Sequence, residues 1–222
     1  MFRLQLISAF FILLFSLSPV SANFDYFQLV LTWPASFCYP KNKCQRRSNN
    51  FTIHGLWPEK KRFRLEFCTG DKYKRFLEED NIINVLERHW IQMRFDETYA
   101  NTKQPLWEHE YNRHGICCKN LYDQKAYFLL AMRLKDKLDL LTTLRTHGIT
   151  PGTKHTFGEI QKAIKTVTSN NDPDLKCVEN IKGVMELNEI GICYTPAADR
   201  FDRCRHSNTC DETSSTKILF RG

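Results

Sequence analysis

Phe24-Asp25-Tyr26-Phe27-Gln28-Leu29-Val30-Leu31-Thr32-Trp33-Pro34 is the stretch on which the fold reading turns. It is dense in aromatic and β-branched residues and closed by a proline, the pattern of a strand that stops at Pro34. Phe51 to Trp57 repeats the pattern and is again closed by a proline, and Leu187 to Tyr194 repeats it before Thr195-Pro196. Between these runs the periodicity turns helical. Segments 71–80, 82–93 and 105–118 read as helices. The clearest runs over 121–145, where Tyr127, Leu130, Leu134, Leu138 and Leu141 recur every three or four residues and His147-Gly148 ends the pattern. A further helix starts at Thr156, because Thr156-Phe157-Gly158-Glu159 fits a capping box. Strands at both ends, helices between them, and no repeat or linker predict a single α+β domain with a central antiparallel sheet packed with several helices.

Residues 1–22 stand apart from that domain. Arg3 is followed by an uncharged apolar run from Leu4 to Val20, and Val20-Ser21-Ala22 suits a cleavage site. This reads as a secretory signal peptide, too short for a membrane span of roughly 20 apolar residues. The expectation is a secreted, extracellular protein whose domain occupies 23–222, with no membrane association. The formal net charge is +7, and Arg3 is the only leader residue contributing to it. A basic secreted chain suits a polyanionic partner. Asn50-Phe51-Thr52 is an N-glycosylation acceptor. All nine cysteines follow the leader, so an oxidising compartment leaves at least one unpaired. Cys117 and Cys118 are neighbours, which bond to each other only with strain, so one of these two is the spare.

Two segments carry the chemistry: Phe51-Thr-Ile-His54-Gly-Leu-Trp57-Pro58 and Trp107-Glu-His109-Glu110-Tyr-Asn-Arg113-His114-Gly-Ile-Cys117-Cys118. Glu110, Arg113 and His114 share one helical face. The second segment is similar to the His-Glu-x-x-His helix of zinc proteases, but holds one residue too many. Histidines five apart diverge by about 140° around a helix, against about 40° for four apart. Joint zinc ligation by His109 and His114 is disfavoured, and no CxxC pair offers another zinc site. No metal or cofactor is expected. Unaided, two histidines that titrate near neutrality can act as base and acid on a phosphodiester. In RNA the base takes the 2′-hydroxyl proton, the oxygen attacks phosphorus, and the acid protonates the leaving 5′-oxygen. A cation such as Arg113 stabilises the charge on phosphate, and Glu110 positions Arg113 or a histidine, or polarises the phosphate if protonated.

These two segments resemble the active-site segments of the ribonuclease T2 family, in the family's order, and the likeness extends over nearly all of 23–210. The resemblance implies an α+β fold, metal-independent RNA cleavage and a 2′,3′-cyclic phosphate intermediate. By position, it makes His54 the general acid and His114 the general base of the first step, with the roles reversed in hydrolysis. It places His109 on phosphate, with Glu110 and Arg113 stabilising the transition state. Arg113 departs from the lysine usual in the family. Trp57 would stack on a base, and Thr32 and Leu106 fall at base-contact positions, Thr32 replacing a more usual glutamine. The resemblance also implies the pairs Cys38–Cys44, Cys68–Cys117, Cys177–Cys210 and Cys193–Cys204, leaving Cys118 free.

Within the family the chain is similar to the S-ribonucleases of nightshade-type plants, the pistil proteins of gametophytic self-incompatibility. The basic charge, the Cys117-Cys118 doublet, Asn50-Phe-Thr before the first motif and the Asn23-Phe-Asp-Tyr-Phe start carry that likeness. It implies an RNase that degrades RNA in self pollen tubes. Residues 59–81, crowded with Lys60, Lys61, Arg62, Arg64, Lys72, Lys74 and Arg75 against Glu66, Asp71, Glu78, Glu79 and Asp80, would meet pollen F-box proteins. A monomer is expected. The alternatives are a general plant T2 ribonuclease for phosphate recovery or defence, and an inactive secreted recognition or storage protein.

Overall fold

The computed structural model describes residues 22–39, 42–77, 81–212 and 215–222. The signal-peptide expectation for 1–22 lies outside these residues except for Ala22. Strand β1 (Tyr26–Thr32) leads into one helical turn, α1 (Pro34–Phe37), and then to β2 (Thr52–Glu59), its antiparallel neighbour. Helices α2 (Ile83–His89), α3 (Glu97–Lys103), α4 (Pro105–Arg113), α5 (Gln124–Asp136) and α6 (Leu140–Thr146) follow. The chain returns through β3 (Lys154–Thr156), α7 (Phe157–Lys165), β4 (Asp174–Glu179), β5 (Met185–Tyr194), β6 (Phe201–Asp202) and β7 (Lys217–Leu219).

All seven strands form one sheet centred on β5. The register places β1 and β7 along one edge of β5, and β4 and β6 along the other. The sheet is mixed: β5 and β7 meet in parallel at Glu186 and Leu219, while every other pairing is antiparallel. Alternation along β1 sends Phe27, Leu29 and Leu31 into the main core and Tyr26, Gln28 and Thr32 to the opposite face. The core face is packed by Tyr127, Phe128, Leu130 and Leu134 of α5 and by Leu86, Trp90 and Trp107, all at most 1% exposed. At about 25 cal/mol per Å² of apolar surface, each such side chain stabilises by roughly 1.5–3 kcal/mol. The opposite face holds the polar groups of the site.

Three helix readings need correction. Residues 71–77 are irregular, and 78–80 lie outside the described residues. Tyr73 and Phe76 are buried at helical spacing, but the backbone is bonded from outside. Phe76 N donates to Gln104 Oε1, Gln104 Nε2 donates to Phe76 O, Tyr73 N donates to Asn112 Oδ1, and Gln124 brackets Lys74 in the same way. The long helix expected over 121–145 is two helices, because the Asp139 carboxylate accepts from Thr142 N and starts α6 afresh. The helix expected through 118 ends at Arg113, and 115–118 tighten into a 3-10 turn. The capping box at Thr156 is present, with both reciprocal bonds to Glu159.

Disulfides join Cys38–Cys44, Cys68–Cys117, Cys177–Cys210 and Cys193–Cys204. Cys118 is free and buried; its thiol donates to Gly115 O, and burial pushes its pKa up to about 12. Burial and the raised pKa favour the thiol over the nucleophilic thiolate. Among the described residues, no helix is long and apolar enough to cross a membrane.

Candidate active site

His54 occupies an irregularity in β2. Val30 pairs with Gly55 and Leu31 with Ile53, so His54 is the extra residue of a β-bulge. Bulges re-aim side chains and gather at active sites. The His54 carbonyl accepts from Trp90 Nε1 at 2.8 Å, and the Trp90 carbonyl accepts from Trp107 Nε1 at 2.9 Å. Two fully buried indoles therefore brace the backbone that carries the imidazole. Its Nδ1 lies 2.5 Å from Glu189 Oε1 of β5, and its Nε2 lies 3.6 Å from Glu110 Oε1 of α4.

The helix α4 supplies the facing wall. Pro105 sets its first turn, and Glu110 points from its buried side, where Glu110 Oε2 accepts from Trp57 Nε1 at 2.8 Å. His114 caps the helix and turns inward. It stacks on the Trp57 ring, centroids 4.9 Å apart, and its Nδ1 is buried with no hydrogen-bond partner. Trp57 therefore stands between the two histidines, with its edge toward His54 at 5.4 Å and the Lys176 ammonium 4.2 Å from its centroid.

The two histidines are held in opposite protonation states. Burial alone would lower the pKa of His54, but the Glu189 and Glu110 carboxylates outweigh it and push it up to about 9. His114 is driven down to about 3, first by burial and then by the positive charges of Arg113 and His54. At neutral pH His54 is the imidazolium and His114 the neutral imidazole. Glu110 is raised by burial despite the opposing pull of His54 and the Trp57 hydrogen bond. Burial also raises Glu189, but the charge and hydrogen bond of His54, aided by Lys176 and Thr32, hold it at about 2.

His54, His109, Glu110, Thr32 and Leu106 line one cavity of about 390 Å³, together with Phe37, Ile53 and residues 91–95. The structure thus brings the two expected base-contact positions to the catalytic face, although Thr32 is buried and donates its hydroxyl to Glu189 Oε1 at 3.2 Å. Trp57 is only 7% exposed and meets His114, Glu110 and Lys176. Glu110 faces His54 and accepts from Trp57, while Arg113 forks both Glu66 oxygens at 3.0 and 3.1 Å and sits 5.6 Å from the Phe67 ring. His109 is exposed on α4. Sequence reading missed Glu189 and Lys176, which face each other across β4 and β5 with Nζ 3.5 Å from Oε2. The available signal was a single acid inside the apolar run Leu187–Tyr194. Among the described residues, no group of three His, Cys, Asp or Glu side chains is arranged to hold a metal ion.

A model of the ribonuclease T2 family matches residues 24–204. The chain is 59% identical to "Ribonuclease S-2" of Solanum tuberosum, covering 100% of both chains. Among solved structures it is similar to the Nicotiana alata gametophytic self-incompatibility associated SF11-RNase, with a TM-score of 0.85 and 52% identity over 90% of this chain and 100% of that one. RNase NT in complex with 5′-AMP gives a TM-score of 0.76 at 27% identity, over 90% of this chain and 98% of that one.

Proposed function

This chain belongs to the ribonuclease T2 family and is a T2-type ribonuclease, and on that premise we propose that His54 and His114 are its acid and base. The observation that carries the assignment is geometric: the two imidazoles flank Trp57, with ring centroids 5.4 Å (His54) and 4.9 Å (His114) from it, and their surroundings push their pKa values in opposite directions. Environments that drive two titratable groups apart mark the acid and the base. Neutral His114 takes the 2′-hydroxyl proton, the oxygen attacks phosphorus, and cationic His54 protonates the departing 5′-oxygen. The 2′,3′-cyclic phosphate is then hydrolysed with the roles reversed and no metal ion. His109 and Glu110 border the phosphate position, and Arg113 exchanges Glu66 for the charge that develops there. The cavity holding Thr32 and Leu106 receives a base. RNA cleavage by wild type and His114→Asn tests this. The variant loses at least 10²-fold, as expected for a positioned proton-transfer group; equal activity overturns the assignment.

The biological role we propose is that of a secreted pistil ribonuclease of self-incompatibility, degrading RNA in self pollen tubes. The support is the likeness to S-ribonucleases over the whole chain. Within the 59–81 region, Lys61, Arg62, Arg64, Lys72, Lys74 and Arg75 are exposed beside Phe63 and Phe67 at 56% and 69% exposure, a surface suited to discriminating pollen F-box proteins. Asn50 is exposed and accessible to a glycan. Style-specific transcript and protein would support this role. Leaf-wide, stress-induced expression without pistil protein would instead indicate a phosphate-recovery or defence ribonuclease.

A further inference from the structure

We infer that Glu189, backed by Lys176, is the positioning residue for the catalytic proton of His54: its carboxylate holds the imidazole by Nδ1–H and leaves Nε2 as the nitrogen that gives and takes the proton. The inference rests on His54 being the acid, as proposed above. The contact is short, at 2.5 Å, and the carboxylate is buried. A charge-assisted bond of this length fixes both the tautomer and the plane of the ring. Each carboxylate oxygen has its own partners. Oε1 receives His54 and the Thr32 hydroxyl, and Oε2 faces Lys176 Nζ at 3.5 Å.

The backbone supports this placement. Glu189 sits opposite Thr32 on β1 and opposite Lys176 on β4. Cys177 pairs with Leu187, so Asn188 is an unpaired residue beside it, and the second bulge of the sheet adjoins Glu189 as the first carries His54. Buried charges need partners, and a carboxylate set into an apolar strand is costly without them. Here those partners are the acid, the Thr32 hydroxyl and the partly buried Lys176 ammonium.

The proton accounting follows from the geometry. The Nε2 proton passes to the 5′-oxygen as that oxygen leaves with the electron pair of its bond to phosphorus. The Nδ1 proton stays in place, bonded to Glu189. In hydrolysis Nε2 takes a proton from water as the water oxygen attacks the cyclic phosphate, and the 2′-oxygen leaves with the electron pair of its bond to phosphorus and takes its proton from His114. Three groups set the charge of His54: Glu189 from β5, Glu110 from α4 and Lys176 from β4. Glu189 and Lys176 act on it with opposite signs.

The experiment is the pH dependence of kcat/KM on a dinucleoside phosphate, with NMR titration of the His54 ring in the same proteins. The alkaline limb reports the acid. In Glu189→Gln, the alkaline midpoint and the His54 titration fall together by about 1–3 pH units, the range for loss of an adjacent opposite charge. Lys176→Met moves both upward, and Glu189→Asp recovers part of the loss. The double variant Glu189→Gln/Lys176→Met removes both paired charges and keeps the measurement available if the single variant does not fold. A lower rate with the alkaline midpoint unmoved overturns the inference and leaves Glu189 a structural group. If the wild-type limb does not follow the His54 titration, the acid assignment itself fails, whatever Glu189 does.

Discussion

Replacing Gly55 with alanine puts a methyl group into the hinge of the site. Its Cβ would fall well inside van der Waals contact of Trp57 Nε1 and Glu110 Oε2, and 2.9 Å from Trp57 Cδ1. Those atoms belong to buried side chains joined by the 2.8 Å indole–carboxylate bond. Neither can swing away freely: Trp57 is stacked on His114, and Glu110 faces His54. Overpacking of this kind costs about 1–3 kcal/mol, and losing a hydrogen bond to a buried carboxylate costs about 1–3 kcal/mol more. The expected loss is about 2–6 kcal/mol, a large part of the roughly 5–15 kcal/mol that holds a domain folded. Activity should fall by about 10²-fold, since a shift near 1 Å in a catalytic constellation has that effect. Urea denaturation gives the first quantity and kcat/KM on a dinucleoside phosphate the second. Gly158→Ala is the control: nothing lies within 4 Å of its added Cβ, and in α7 it should stabilise by about 0.5–1 kcal/mol. A Gly55→Ala protein within about 0.5 kcal/mol of wild type and fully active would refute the reasoning, because that change is within surface-mutation scatter.

Three further outcomes are expected. Removing the Cys68–Cys117 disulfide by paired alanines opens a loop with a sequence separation of 49 residues and should cost about 4 kcal/mol by chain entropy, read from denaturation midpoints. Because His114 is held down to about 3, the unfolded chain binds its proton first as pH falls below about 6.5, so this residue erodes stability between about pH 6.5 and 3. His54, raised to about 9, contributes stability that is complete below about 6.5 and lost as pH rises through about 9. Urea denaturation at pH 5 and 7 should therefore show a smaller acid loss in His114→Asn than in wild type. Arg113→Lys keeps the charge but loses the forked contact to Glu66, so kcat/KM should stay within about tenfold of wild type, or roughly 1.4 kcal/mol, while Arg113→Ala falls further. A lysine variant as impaired as the alanine one would contradict a role based on charge.

The strands were legible in their aromatic and β-branched runs: β1 and β5 stop before Pro34 and Pro196, whereas β2 runs through Pro58 to Glu59, with Pro58 paired opposite Phe27. The capping box at Thr156 was legible for the same local reason. Residues 71–77 misled because Tyr73 and Phe76 have helical spacing, whereas their backbone partners are amides distant in sequence, Gln104, Asn112 and Gln124. The long helical period over 121–145 hid its break because Leu138 stays buried through the turn that Asp139 caps. At the site, residue types and spacing brought out His54, Glu110 and His114. They could not give Glu110 its partners, since α4 turns that side chain toward β2 and leaves Arg113 to Glu66. Glu189 was invisible as chemistry, because only pairing of β5 with β1 and β4 brings it to His54.

The most direct test of the account is a 31P NMR time course of dinucleoside phosphate cleavage in excess EDTA, run with wild type, His54→Ala and His114→Ala. The prediction is a 2′,3′-cyclic phosphate signal that rises and then decays in wild type, with each variant slowed by at least about 10²-fold. Cleavage that passes directly to a monophosphate, stops in EDTA, or survives loss of either histidine would contradict it.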